Sequence, residues 1–279
     1  MDRFIAMRWD PEVLAQEWQV ERWCAALMAR GTHWISVLDI AGLKVMARHD
    51  VGVALAATTW ADGQGVVIGQ LFRRDEERAG RVARLNHEDT GRILRSKGVH
   101  LANAFWGNFV ALWRDHEGGV HVLRDPCGAT PCFMTQAEGL DLLFSHADDV
   151  ASLSNVHFTT NPTFLRAFVL FNYFVTAKTG LNEVAELLPG QRRDWDLGGG
   201  THMGWVWRGD RIAAEVSTLS FDDASAQLND IAERCFSAWA RVHGRVLVSL
   251  SGGFDSSVMA ALAQRAGAEV IGLHHAGVG

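Results

Sequence analysis

Apolar and polar positions alternate in short runs along roughly the first two thirds of the chain, and the period lengthens after Ser220. Residues 4–9 predict a strand. Asp10-Pro11 then opens a helix to about Arg30, with the aspartate as cap and the proline in the first turn. Apolar runs at 33–38, 43–49, 51–58 and 65–71 follow closely, broken at Gly42 and Asp62-Gly63, a dense antiparallel β pattern. Residues 75–98 are charged and helical in type. A second β cluster covers 105–113, 119–124, 132–135 and 140–145, with turns at Glu117-Gly118-Gly119, Asp125-Pro126-Cys127-Gly128 and Glu138-Gly139. A helix from Pro162 to about Phe174, a turn at Leu188-Pro189-Gly190 and a hairpin over 193–206 complete this part. Two β clusters with helices between and after them predict stacked sheets flanked by helices. Beyond Ser220 the pattern reads helix 222–242, strand 246–250, helix 255–265, strand 269–274, a βαβ unit of a second, doubly wound domain beginning near residue 210.

The apolar content of 48% over 279 residues supports one large or two ordinary globular domains. A net charge of −6 leaves no basic footprint, so nucleic acid is not an expected partner. No stretch approaches the ~18 uninterrupted apolar residues of a membrane span, and the opening residues are too charged for a signal peptide. Cys24, Cys127, Cys132 and Cys235 form no C-x-x-C pair and fit a reducing compartment, so a cytoplasmic location is expected. The eleven tryptophans read as core packing, with a peptide groove as the alternative.

The chemistry concentrates in Val246-Leu-Val-Ser-Leu-Ser-Gly-Gly-Phe-Asp-Ser-Ser257, an apolar strand running through a glycine-bearing turn into a helix. Gly252 and Gly253 let the backbone approach an anion, and the first helical amides point unpaired N–H groups at it. Ser251, Ser256 and Ser257 add hydroxyl donors. The helix N-terminus alone favours an anion by only about 0.3–1 kcal/mol, so amides, hydroxyls and a divalent cation together must supply most of the affinity. Asp255 beside a pyrophosphate is repelled unless a metal lies between them, and Mg²⁺ is the natural bridge. No Gly-Lys-[Ser/Thr] follows, and no lysine occurs after Lys178, which excludes the Walker A loop. An ordinary Gly-Gly turn with a serine cap is the plainer alternative.

Ser251-Gly-Gly-Phe-Asp-Ser-Ser257 resembles the pyrophosphate loop of the ATP-pyrophosphatase superfamily, in the form found in asparagine synthetases. Upstream, Gly107-Asn-Phe-Val-Ala-Leu-Trp-Arg-Asp115, Val122-Leu-Arg-Asp-Pro-Cys-Gly-Ala-Thr-Pro131 and Leu143-Phe-Ser-His146 resemble the motif series of class II glutamine amidotransferase domains. Glu186-Leu-Leu-Pro-Gly190 is similar to the link preceding the synthetase domain of asparagine synthetases. The resemblance implies an N-terminal-nucleophile-like αββα sandwich over 1–208, followed over 209–279 by the beginning of an α/β ATP-pyrophosphatase domain. Physically, Asp125-Pro126 with Gly128 forms a tight turn, and Arg124 is a candidate to pair with a carboxylate, unless turn chemistry alone accounts for both.

The chain departs from that family at its start. An amidotransferase of this class needs a cysteine at residue 2, whose thiolate attacks glutamine; here residue 2 is Asp2, and the nearest cysteine is Cys24. Ile68-Gly69-Gln70 stands where the family has its glutamine-holding Asn-Gly-Glu turn. Glutamine hydrolysis is therefore expected to be absent. Amidotransferase-like domains lacking the nucleophile and joined to an adenylating domain resemble β-lactam synthetases and the macrolactam synthetases of lasso peptide biosynthesis, with the latter preferred. That resemblance implies ATP and Mg²⁺ at the 251–257 loop with Asp255 toward the metal, a precursor peptide as substrate, and a leader peptidase and leader-binding protein as partners. His274-His275 ends the next strand, where such sheets place ligands. From Arg245 onward the chain supplies two strands and one helix, so it is expected to be a fragment with the acyl-substrate residues elsewhere. A conventional asparagine synthetase with an altered start and a non-catalytic peptide-binding remnant are the competing expectations.

Overall fold

The computed structural model describes residues 3–30, 33–48, 55–75, 83–153, 156–172 and 174–274. The chain divides into two compact units, Met1–Leu71 with Arg84–Arg208, and Phe72–Ala83 with Gly209–Gly279.

The first unit is built from β1 (Arg3–Arg8), α1 (Leu14–Ala29), β2 (Trp34–Ile40), β3 (Leu43–Arg48), β4 (Ala57–Thr59), β5 (Gly65–Arg73, whose last two residues are counted with the second unit), α2 (His87–Arg95), α3 (Val99–Ala104), β6 (Phe105–Arg114), β7 (Val120–Arg124), β8 (Phe133–Ala137), β9 (Leu140–Phe144), α4 (Ala147–Ala151), α5 (Pro162–Phe171), β10 (Ala185–Glu186), β11 (Gln191–Trp195) and β12 (Thr201–Trp205). The strands form two six-stranded sheets, ordered β10-β8-β9-β1-β3-β2 and β12-β11-β7-β6-β5-β4. Every pairing with a defined register in them is antiparallel.

Strand alternation sorts the side chains into layers. On β1, Phe4 and Ala6 meet Val66, Ile68, Val110 and Leu112 of the other sheet, while Ile5 and Met7 turn the other way onto Val20, Trp23, Cys24 and Leu27 of α1. A hypothetical Cβ on Gly98, between α2 and α3, would meet Leu123 and Trp113, so these helices cover the outer face of the second sheet. The result is helix, sheet, sheet, helix, the αββα layering expected from the sequence.

Local chemistry shifts several expected boundaries. The first helix begins at Leu14 rather than at Pro11, because Asp10 Oδ1 accepts from Glu12 N at 3.0 Å and Asp10 O from Val13 N at 2.9 Å, closing a turn ahead of the helix. Among the described residues of the charged 75–98 stretch the helix is α2, where Asn86 and Asp89 form a reciprocal capping box; residues 76–82 lie outside the described residues, as do 51–54 of the third apolar run. The helix after Pro162 stops at Phe171, with Asn172 at φ +59° ending it. Short α3 and α4 carry too few residues for a helical period to show.

The second unit holds α6 (Gly209–Ala213), α7 (Phe221–His243), β13 (Arg245–Ser249), α8 (Phe254–Arg265) and β14 (Glu269–Leu273). Strands β13 and β14 pair in parallel, from Arg245 opposite Glu269 to Ser249 opposite Leu273, around the crossover helix α8. This is the βαβ unit read from the period change.

Candidate functional site

The strand β13 delivers its chain into a turn at Leu250–Gly253 held from both sides: Leu250 N donates to Leu273 O at 2.7 Å, and His274 Nδ1 lies 2.9 Å from Leu250 O. Gly272 lets Leu250 pack against β14, since a Cβ there would come within 2.7 Å of Leu250 Cδ1. His274 thus supports the turn, whereas His275 lies outside the described residues. Gly252 takes φ +82°, a left-handed conformation that a side chain disfavours although nothing stands within 4 Å of a Cβ there.

Gly253 is the N-cap of α8 and has no side-chain capping bond, which leaves the first-turn amides without a side-chain acceptor. Gly253 N donates to Ser251 Oγ at 3.3 Å, Ser251 Oγ lies 3.3 Å from Ser256 Oγ, and the hydroxyls of Ser256 and Ser257 donate to Gly253 O at 3.2 and 3.0 Å. The structure therefore gathers Ser251, Gly252, Gly253, Ser256 and Ser257 at one exposed helix start, with Asp255 in the first turn. An anion bound here would meet unpaired amides directly, and the two serine hydroxyls would exchange an internal acceptor for it. Asp255 makes no ion pair, and no cluster of three or more metal-ligating side chains exists among the described residues. One exposed carboxylate fits Mg²⁺, which is commonly held by one or two carboxylates with phosphate oxygens completing the shell.

A second set of positions in the first unit carries the motif residues. At the start of β1, Phe4 N donates to Ser145 Oγ at 3.0 Å, His146 Nδ1 lies 2.9 Å from the same hydroxyl, and Arg3 Nε pairs with Asp149 at 2.7 Å. Burial, with Arg3 nearby, holds the His146 imidazole below its ordinary value. Asp2 itself lies outside the described residues. Ile68 is fully buried in the core between the sheets. Gly69, at φ +107°, would place a Cβ 2.1 Å from Asn108 O, and Gly107, at φ +140°, one 2.1 Å from Gln70 O. The two glycines form a reciprocal close approach of β5 and β6 that no spacing rule revealed.

Arg124 pairs with Glu186 at 2.6 Å and also donates to the carbonyls of Thr130, Leu187 and Gly128. Asp125 is fully buried; its Oδ1 accepts from Cys127 N at 2.7 Å and Gly128 N at 3.0 Å, and its Oδ2 from Phe109 N at 3.0 Å. Burial raises its carboxyl above the usual range, against the pull of those three amides and Arg124. The Arg124-Asp125 and Glu186–Gly190 motifs are thus one structural knot, tying three strands and the turn before β11.

Sequence reading missed a further network. His121, on β7, lies 2.7 Å from Asp194 and 2.8 Å from Asp115, and Asp194 is gripped by Arg192 at 2.7 Å. The His121 ring stacks on Trp113 at 5.1 Å, and Trp113 on Trp60 at 5.4 Å. The signal available was weak: one histidine at an outward strand position, with its partners on a turn and on a strand far along the chain.

Residues 74–206 match the family model described as a glutamine amidotransferase domain, so this region is amidotransferase-like. Among solved structures, the chain is similar to the glutamine phosphoribosylpyrophosphate amidotransferase of B. subtilis complexed with ADP and GMP, at 9% identity and TM-score 0.42, covering 96% of this chain and 65% of that one. It is similar also to an allosteric regulatory enzyme of purine biosynthesis, at 9% identity and TM-score 0.42, covering 98% of this chain and 64% of the other. The chain therefore spans slightly under two thirds of the length of either. No curated protein matches it.

Proposed function

We propose that this chain is the amidotransferase-like and nucleotide-binding part of an ATP-dependent amide ligase that activates a carboxylate as its adenylate. The observation that carries the reading is the exposed strand, turn and helix at 245–265, with left-handed Gly252, uncapped amides and an unpaired Asp255, in a chain whose amidotransferase-like region lies over 74–206. ATP would set its β- and γ-phosphates against Ser251, Gly252, Gly253, Ser256 and Ser257, with Asp255 toward Mg²⁺. The cation, when bound, supplies charge neutralisation for the leaving pyrophosphate. A carboxylate oxygen attacks the α-phosphorus, pyrophosphate leaves, and an amine then displaces AMP from the acyl-adenylate to form the amide.

On this proposed reading the amine belongs to the acyl substrate rather than to glutamine, in keeping with aspartate rather than cysteine at position 2. That supports a macrolactam synthetase acting on a lasso precursor peptide, in which an Asp or Glu side chain is activated and the peptide's own N-terminal amine closes an isopeptide ring. In such a reaction the enzyme's chief contribution is to hold the two ends together, worth up to about 7–11 kcal/mol. A leader peptidase and a leader-binding protein would be its partners. Isothermal titration of the full chain with ATP and Mg²⁺ tests the reading: Asp255→Ala is expected to weaken binding at least about tenfold, the loss of one charge-mediated contact. Equal affinity of the two proteins, or no binding by either, would reject it in favour of a relic loop.

A further inference from the structure

Where β8 and β9 of one sheet face β11 of the other, a cavity of about 330 Å³ opens between Met134, Gln136, Asp141, Glu183, Arg193 and Trp195. That volume is at the lower end of the range of ligand sites. Its acceptors are already supplied by the protein. Asp141 takes Arg8 at 3.3 Å on one oxygen and Gln136 at 2.8 Å on the other, and the Glu183 carboxylate takes the Thr159 amide at 2.7 Å and its hydroxyl at 2.5 Å.

Its donors are not so supplied. Among the described residues the Arg193 guanidinium makes no ion pair; it lies 4.9 Å over the Trp195 ring, and the one hydrogen-bonding contact it makes there is the Met134 sulfur at 3.9 Å. Trp195 is 2% exposed, and its indole N–H is buried with no hydrogen-bond partner among the described residues. A buried donor without an acceptor costs about 1–3 kcal/mol, and a bound water or ligand is one way to meet it; the indoles of Trp9, Trp23 and Trp60 share this state, so Arg193 is the group that singles out the cavity. The ring under the guanidinium also fixes the plane of its fork, and a fixed planar fork matches a carboxylate.

From this juxtaposition we propose that the cavity is a binding site for a small organic monocarboxylate, held by Arg193 against the Trp195 platform. A single cation selects a single negative charge. Among the described lining residues no second cation offsets the extra charge of a phosphate dianion, whereas a monocarboxylate is neutralised by Arg193 alone. The site is independent of the nucleotide loop, so its test is separate from that of the proposed activity.

Saturation-transfer NMR and competition titration of the full-length chain with propionate, N-acetylglycine and inorganic phosphate provide the test. Saturable binding of both carboxylates is expected, weakened about ten- to a hundredfold in Arg193→Gln, the range for loss of a charge-assisted hydrogen bond. Trp195→Phe keeps the platform but removes the indole donor, and is expected to weaken binding severalfold. Should Arg193→Gln fail to fold, Arg193→Lys keeps the charge without the fork and is expected to bind more weakly than the wild type. Absence of saturable binding to the wild type, unchanged affinity in a folded Arg193 variant, or phosphate binding as tightly as the carboxylates would overturn the assignment.

Discussion

Replacing His121 with phenylalanine isolates the polar part of the network it anchors. The six-membered ring can keep the stack on Trp113, now at 5.1 Å and 20°, while both nitrogen contacts, at 2.7 and 2.8 Å, disappear. Each hydrogen bond to a charged group contributes about 1.5–3 kcal/mol. Asp115 keeps the Gly119 and Glu117 amides and is partly open to water, and Asp194 keeps Arg192. Their residual contacts reduce the sum, and we expect a net loss of about 2–4 kcal/mol, a large share of the ~5–15 kcal/mol by which such proteins are stable. With a urea dependence of about 2–3 kcal/mol/M, the midpoint should fall by roughly 1–1.5 M. Tryptophan fluorescence reports the transition directly, because Trp60 and Trp113 belong to the same stack.

The pH dependence gives an independent reading of the same substitution. Burial alone would raise both carboxyls, yet Asp115 is held below its ordinary value by His121 and two backbone amides, and Asp194 by His121 and Arg192. A depressed carboxyl contributes stability above its unfolded-state value, near 3.9, and that contribution is lost as pH falls through the lower folded-state value. The wild type should therefore lose stability on acidification below about pH 4, and His121→Phe should show a shallower loss. A shift in urea midpoint under ~0.2 M, together with an unchanged acid slope, would show that the network contributes no net stability.

Two glycines should respond in opposite ways to the same change. Gly69→Ala forces a Cβ to 2.1 Å from Asn108 O at φ +107° and is expected to cost more than about 3 kcal/mol, whereas Gly252→Ala meets open space and should cost only the ~1–2 kcal/mol of its left-handed backbone; comparable urea midpoints for the two variants would contradict this. Cysteine labelling should follow burial. The Cys132 thiol is pushed up to about 12 and Cys24 to about 11, chiefly by desolvation, while Cys127 is exposed. Iodoacetamide at pH 8 should modify Cys127 first, and rapid native-state labelling of Cys132, seen by peptide mass spectrometry, would refute the packing around it.

The sequence by itself determined the elements whose signals are local. The alternating runs of β1, β3, β6 and β9, the capping box of α2 and the period change before β13 all depend on neighbours a few residues away. The gathering of Ser251, Gly252, Gly253, Ser256 and Ser257 was legible for the same reason, since one strand end and one helix start bring them together. Glycine at 69 and 107 was legible only as a member of a motif segment, because its necessity arises from the other strand's carbonyl. Arg124 found its carboxylate 62 residues away at Glu186, and His121 one of its two carboxylates 73 residues away at Asp194. The Arg193–Trp195 cavity likewise exists only because two sheets stack with β8 and β9 facing β11. Partners so distant in sequence are selected by sheet order and layer packing, and those are properties of the folded chain as a whole.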